Sequence, residues 1–279
     1  MRGSILSAPV QRFSGGSRSS EQDFVAVEEP LQIRIGERNV SITMRTPGND
    51  AELAVGFLFT EGILRGAGDV ARIDCAENQT AVTLAAGVEI DAERLQRNFY
   101  MTSSCGVCGK ASIEALESAG CTTLPRGIPQ VAECTIRSLP DKIREARALF
   151  ERNGGLLAAA LFSAEGELLA VREEVGRHNA VDKLIGWAVL EGKASLENRI
   201  LMVSGRASFE LAQKAAMAGI PILAAVGAPS SLAVKTALRF GMTLIGFLRQ
   251  DRFNVYAEAD RLSDPAPAGA PPARPVRSE

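Results

Sequence analysis

The sequence predicts an α/β protein whose main sheet has a parallel portion and helices on its faces, with a smaller α+β domain ahead of it. Three observations carry this. From Gly155 onward, apolar runs of strand length alternate with stretches of helical spacing, the pattern of βα units. Before residue 100 the pattern differs: short segments of period two, such as VSITMR, surround a single helical stretch. And 46% of the 279 residues are hydrophobic, enough for a full core.

In chain order, residues 1–22 read as a disordered leader, with six serines and three arginines in the first twenty residues. Strands are predicted at Phe24–Val27, Leu31–Ile35 and Val40–Arg45. Pro47 and Gly48 then turn the chain, and Asn49 or Asp50 caps a helix over Ala51–Leu64. Strands at Ala71–Cys75, Ala81–Leu84 and Val88–Ile90 complete a domain over 23–100. Residues 101–134 read as a Cys-x-x-Cys loop and linker, with a helix over Ala111–Ala119 and an irregular stretch over Cys121–Cys134. The α/β domain spans 135–262. Its helices are predicted at Pro140–Arg152, Asn179–Leu190, Ser208–Ala218 and Ser230–Phe240. Its strands are predicted at Leu156–Ser163, Leu168–Glu174, Ile200–Ser204, Ile222–Val226 and Thr243–Leu248. Five of the thirteen prolines fall in 263–279, which reads as a disordered tail.

Composition excludes several function classes. A net charge of −2 argues against a nucleic-acid-binding surface. No apolar run reaches the ~18 residues of a membrane span. Five cysteines, an odd number with one close pair, do not form a secreted disulfide framework, which places the protein in a reducing cytoplasm.

The chemistry centres on Thr102–Lys110, TSSCGVCGK. Small residues surround Cys105 and Cys108, and helical spacing follows. A helix N-terminus and the Lys110 ammonium both favour the thiolate, the form that attacks sulfur. The motif is compatible with a zinc site, a redox pair or a persulfide carrier. Structural zinc sites pair two short ligand spacings, whereas Cys75, Cys121 and Cys134 stand singly, so no metal site is assigned.

Ligands of α/β sheets bind where strands end and helices begin. Two such turns suit an anion: Gly205 and Arg206 in SGRAS, and Ser230 and Ser231 in GAPSS. Each offers backbone N–H groups, hydroxyls or a guanidinium to a phosphate. For the serines, the competing reading is ordinary N-capping. The segment Phe247-Leu248-Arg249-Gln250-Asp251-Arg252 runs out of a strand into two arginines. In GRHNAVDK, Gly176–Lys183, the residues Arg177, His178, Asp182 and Lys183 could line the same edge, with a solvated Asp–Lys pair as the plainer reading.

Together TSSCGVCGK, GRHNAVDK, SGRASFE, KAAMAGIPI, APSS and the earlier NDAELAVGFLFTEGI resemble the formate dehydrogenase accessory sulfurtransferase family over residues 24–262. The resemblance implies a cytidine-deaminase-like three-layer fold for the C-terminal part, and a homodimer. It implies that Cys105 carries a persulfide taken from a cysteine desulfurase, with Cys108 assisting. The sulfur would pass to bis-molybdopterin guanine dinucleotide, bound near Phe247–Arg252, before that cofactor enters formate dehydrogenase. The chain departs from the family at Asn153-Gly154-Gly155-Leu156-Leu157, where Leu157 stands in place of a histidine. Deaminase chemistry does not follow from the fold: a zinc deaminase needs His-x-Glu before Pro-Cys-x-x-Cys, whereas here Ala180 and Ser104 replace the Glu and Pro. Without the resemblance, a redox or zinc-binding regulatory module and a nucleotide-binding scaffold remain the alternatives.

Overall fold

The computed structural model describes residues 4–89, 116–117, 120–148, 156–192 and 195–263. The chain begins with a long hairpin, β1 (Ile5–Ser14) and β2 (Ser17–Ala26), paired in register from Ile5↔Ala26 to Ser14↔Ser17. This replaces the disordered leader expected over 1–22. Gly15 and Gly16 both have positive φ, 56° and 79°, and make the two-residue turn that matches strand twist. Phe13 and Leu6 of the ribbon are exposed, which is why its weak apolar pattern did not read as a strand.

Residues 29–84 form the first packed layer. β3 (Glu29–Ile35), β4 (Arg38–Arg45), β5 (Val70–Ala76) and β6 (Gln79–Leu84) make a sheet of order β4-β3-β6-β5. Its Leu31, Ile33, Val40 and Val82 pack on Leu53, Ala54 and Leu58 of α1 (Asp50–Thr60). Burying such a side chain contributes ~1.5–3 kcal/mol. α1 ends four residues before the expected Leu64; Glu61 closes it onto the carbonyls of Phe57 and Phe59, and Gly62 turns with φ 71°. The expected side-chain cap is absent: Asn49 is left-handed and makes no cap bond, and the Asp50 carboxylate accepts from Arg45 Nε and Nη2, both at 2.9 Å. Val88 and Glu89 do not form the expected strand.

The second layer is the main sheet. Its strands are β8 (Leu157–Ser163), β9 (Leu168–Glu174), β10 (Arg199–Val203), β11 (Ile222–Ala225), β12 (Thr243–Gly246) and β13 (Asn254–Ala257). The order is β13-β12-β11-β10-β8-β9; β10, β11 and β12 are parallel, and β8 and β13 run against them. Alternation along each strand divides the core. Ala159, Leu161, Leu201, Val203 and Leu223 face one side with α3 (Arg177–Leu190), α4 (Phe209–Met217) and α5 (Ser231–Phe240). Ala158, Ala160, Phe162, Ile200, Met202 and Ile222 face the other, with α2 (Glu133–Ala148). Burial on both faces explains why these strands read as continuous apolar runs.

α2 begins well before the expected Pro140, which sits inside it. Proline lacks an N–H for the helix ladder. The stripe Ile136, Leu139 and Ile143, at helical spacing and buried on the sheet, outweighs that loss. Ahead of α2, the short β7 (Val131–Ala132) pairs in parallel with β14 (Leu262–Ser263), two strands the sequence pattern missed. The stretch 120–130 is irregular but tied down. Cys121 and Leu124 are buried, and fully buried Arg261 donates to the carbonyls of Ile128 (2.7 Å) and Pro125.

The two layers meet through α1 and α3. A Cβ on Gly56 would fall 1.8 Å from the Asp182 carbonyl oxygen, and one on Gly186 would fall 1.8 Å from that of Glu52. Charged pairs seal the same junction. Lys183 Nζ is 2.6 Å from Glu174 Oε1 and donates to the Thr46 carbonyl at 2.8 Å. Lys214 Nζ is 2.9 Å from Asp182 Oδ1 and donates to Thr60 Oγ1 at 3.0 Å; the Thr60 hydroxyl in turn donates to Asp182 at 2.8 Å. The Asp–Lys pair of GRHNAVDK is therefore neither solvated nor at the sheet edge. Asp182 and Lys183 are buried, each with a different partner.

Candidate functional site

The C-terminal ends of β9, β10, β11 and β12 lie along one edge of the main sheet. Each opens into a turn, and three of the turns lead directly into α3, α4 and α5. The two turns singled out in the sequence are side by side. Gly227 N–H donates to the Gly205 carbonyl at 2.9 Å, Ala207 N–H to that of Ala228 at 3.2 Å, and Ser230 N–H to that of Ala207 at 2.9 Å. Phe247 N–H then donates to Gly227 at 3.1 Å, joining the third turn. This close approach requires glycine: a Cβ on Gly227 would fall 2.9 Å from Arg206 Cγ, and one on Gly246 2.8 Å from Pro229 Cδ.

The zipped turns alter the expected cradle. The N–H groups of Ala207, Gly227 and Ser230 are spent on one another and do not face a phosphate. The Ser230 hydroxyl caps α5, accepting from Ala233 N–H at 3.2 Å, so the plain capping reading holds there. Arg206 and Ser231 are exposed at this edge. Arg177, at the start of α3, has a solvent-inaccessible Nε without a hydrogen-bond partner among the described residues.

The segment Phe247–Arg252 does not form one surface. Phe247 is 43% exposed and left-handed, with φ 52°, an uncommon conformation for a bulky residue. Leu248, expected to touch ligand, is fully buried against Ile245 and Met202 and cannot do so. The Arg249 guanidinium donates to the Val226 carbonyl at 2.7 Å. Gln250 reaches Asp141 of α2 at 2.6 and 2.5 Å. Asp251 and Arg252 line a cleft with Glu133, Phe253, Leu262 and Ser263. Cys105, Cys108 and the residues around Leu156 that precede it, Asn153 to Gly155, lie outside the described residues.

His178 proves to have partners that the sequence did not suggest. Its Nε2 is 3.5 Å from Ser208 Oγ and 3.7 Å from Glu210 Oε2, both at the start of α4. The His178 contact is the main reason the Glu210 carboxyl is pulled down to about 2. Ser208 occupies the N-cap position, yet its hydroxyl makes no cap bond, unlike Ser230 in the next unit. SGRASFE contains both residues, but its pattern points only to an anion cradle or an N-cap and not to a histidine partner.

Residues 26–263 match the FdhD/NarQ family. The chain belongs to that family. It is 51% identical over 263 residues to the sulfur carrier protein FdhD of Mycolicibacterium paratuberculosis (strain ATCC BAA-968 / K-10), covering 91% of this chain and 97% of that one. It is 50% identical over 265 residues to the protein of the same name from Streptomyces avermitilis, covering 91% and 94%. A crystal structure of a formate dehydrogenase accessory protein from Desulfotalea psychrophila superposes with a TM-score of 0.76 at 26% identity, covering 94% of this chain and all of that one. The FdhD/NarQ match begins at the last residue of β2 and ends in β14, so it takes in both packed layers and the whole sheet edge.

Proposed function

We propose that this chain is a sulfur carrier that serves formate dehydrogenase. The observation that carries the reading is FdhD/NarQ membership together with about half identity to proteins named as sulfur carriers. Cys105 thiolate attacks the sulfane sulfur of a persulfide on a cysteine desulfurase. A new S–S bond forms at Cys105, the old one breaks, and the desulfurase leaves as its thiolate. Cys108 assists. The acceptor is bis-molybdopterin guanine dinucleotide, bound at the sheet edge as substrate. Its phosphates suit Arg206 and Arg252, since guanidinium and phosphate form charge-assisted bonds. Phe247, held outward in its left-handed conformation, offers a face to a planar ring system.

The sheet order supports the cytidine-deaminase-like reading. Counted from Leu157, the first strand lies between the second and third and runs against both, and the third to fifth are parallel neighbours. Among the described residues no helix is long and apolar enough to cross a membrane; we place the carrier in the cytoplasm, as a homodimer.

The test is the intact mass of the full chain after mixing with a cysteine desulfurase and cysteine. The wild type and Cys108→Ala are expected to gain one sulfur atom and Cys105→Ala none. A Cys105→Ala chain that loads normally removes Cys105 as the carrier. Stoichiometric zinc on Cys105 and Cys108 would favour the metal-binding alternative.

A further inference from the structure

The junction between the two layers holds one carboxylate more than its cation balances. Glu61 closes α1, Asp182 lies on α3 and Lys214 on α4. The Lys214 ammonium is 2.9 Å from Asp182 Oδ1 and 3.7 Å from Glu61 Oε1. The first is a hydrogen-bond distance and the second is not. Asp182 also accepts from the Thr60 hydroxyl at 2.8 Å, and Lys214 donates to that hydroxyl at 3.0 Å. The Phe57 ring covers the ammonium from another side, with its centroid 5.7 Å away. Asp182, Thr60 and Lys214 thus satisfy one another, and Glu61 stands beside them as a second acid. Its side chain is 25% exposed, against 2% for Asp182 and 7% for Lys214.

The other charged groups of the packed helices are engaged elsewhere. Lys183 pairs with Glu174, Glu52 with Arg172, and Glu210, one turn before Lys214, with His178. Among the described residues Lys214 is the one cation within ion-pair distance of Glu61. Two ionised carboxylates on one ammonium would leave a net negative charge where water reaches poorly. Carboxylates that share a site do not both ionise readily. The proton goes to the acid with the weaker bonds and the nearer water, which is Glu61. Burial pushes the Glu61 carboxyl above its ordinary range; Lys214 opposes the rise and Asp182 adds to it.

We propose that Glu61 is a proton-operated latch between the layers, holding its proton while α1 is closed on α3 and α4 and loosening that junction when it gives the proton up. The step moves one proton and no electrons. The O–H bond of the Glu61 carboxyl breaks, its electron pair stays on oxygen, and the proton passes to water at the quarter-exposed side chain. What remains is an unbalanced negative charge beside Asp182. The sign follows from linkage. From about 4.5 up to the raised value, the folded chain binds more protons than the unfolded one, so stability falls as pH rises. The contribution is complete below about 4.5 and is lost as pH rises through the folded value. The latch concerns the packing of the layers and stands whether or not the chain carries sulfur.

The experiment follows urea unfolding and amide hydrogen exchange of α1 in the full chain over a pH series. Glu61→Gln, which is neutral at every pH, is expected to protect the α1 amides on the order of tenfold more than wild type at neutral pH. The gap should close toward pH 4.5. In an Asp182→Asn background the sign should invert, because Glu61 is then the one carboxylate left to Lys214, and Glu61→Gln should destabilise. A Glu61→Gln chain less stable than wild type at neutral pH overturns the inference, since it would mean that ionised Glu61 serves Lys214. A gap that does not change with pH overturns it as well. If Asp182→Asn does not fold, carbon NMR of the wild-type Glu61 carboxyl decides. Titration above the ordinary carboxylate range is expected, and titration at or below it overturns the proposal.

Discussion

Gly56 of α1 and Gly186 of α3 place each helix's backbone against the other's. The carbonyl oxygens of Asp182 and Glu52 stand 1.8 Å from the sites where their β-carbons would be. Any side chain at either position forces the helices apart. Gly56→Ala should therefore destabilise the chain by about 3 kcal/mol or more, at the upper end of overpacking effects, although alanine is the better helix former. Urea unfolding measures this. A Gly56→Ala chain as stable as the wild type would show that the layers can separate without loss.

The charged seal beside that crossing gives a second expectation. Lys214→Met leaves buried Asp182 without its cation and should cost about 3–5 kcal/mol. Replacing both partners, Lys214→Met with Asp182→Leu, should recover much of that loss, because no charge is then left unpaired. Comparing single and double variants by urea midpoint checks it. Equal losses would mean that Thr60 and Glu61, not the missing ion partner, dominate.

Glu210 gives a pH expectation of definite sign. Its carboxyl is held at about 2, below the ordinary 4.5. Between those values the unfolded chain binds more protons than the folded one, so stability falls as pH falls. The contribution is complete above about 4.5 and lost toward about 2. Glu174 works in the opposite sense, since burial pushes its carboxyl up. The difference between wild type and Glu210→Gln isolates the first effect. Their unfolding midpoints should differ most near neutral pH and converge in acid.

The zipped turns give a ligand expectation. Gly227→Ala would press on Arg206, whose Cα and Cγ lie 3.0 and 2.9 Å from the new carbon. Gly227→Ala and Arg206→Ala should each weaken guanine nucleotide binding roughly tenfold, the worth of one charge-assisted bond. Calorimetry decides; unchanged affinity in both variants takes Arg206 out of the site. Arg206→Ala should still load sulfur on Cys105, since loading needs only the thiolate and the desulfurase.

The main sheet was legible because both of its faces are covered. Strands such as ILMV, Ile200–Val203, are apolar throughout and are followed by glycine turns and helical stripes. The exposed β1–β2 ribbon was not, because its pairing rests on a Gly-Gly turn and backbone bonds more than on apolar alternation. α2 was cut short by Pro140, a local signal that three buried side chains override. At the site, sequence placed Arg206 and Phe247 at the edge. It could not show that Leu248 turns inward, since Leu248 follows an apolar strand without a break. Nor could it pair Asp182 with Lys214 or His178 with Glu210, partners 32 residues apart in each case that meet only when α3 packs on α4.

The seal between the layers also orders events during synthesis. Thr60 waits for Lys214, 154 residues later, and Thr46 for Lys183, 137 residues later. Until α4 has left the ribosome, Thr60 at the end of α1 has no cation to meet, and the first layer cannot close on the second. Contacts this distant in the chain make for slow folding. The nascent N-terminal half would then expose its glycine-lined helix for most of translation, a stage at which a chaperone has more to hold than at any time afterwards.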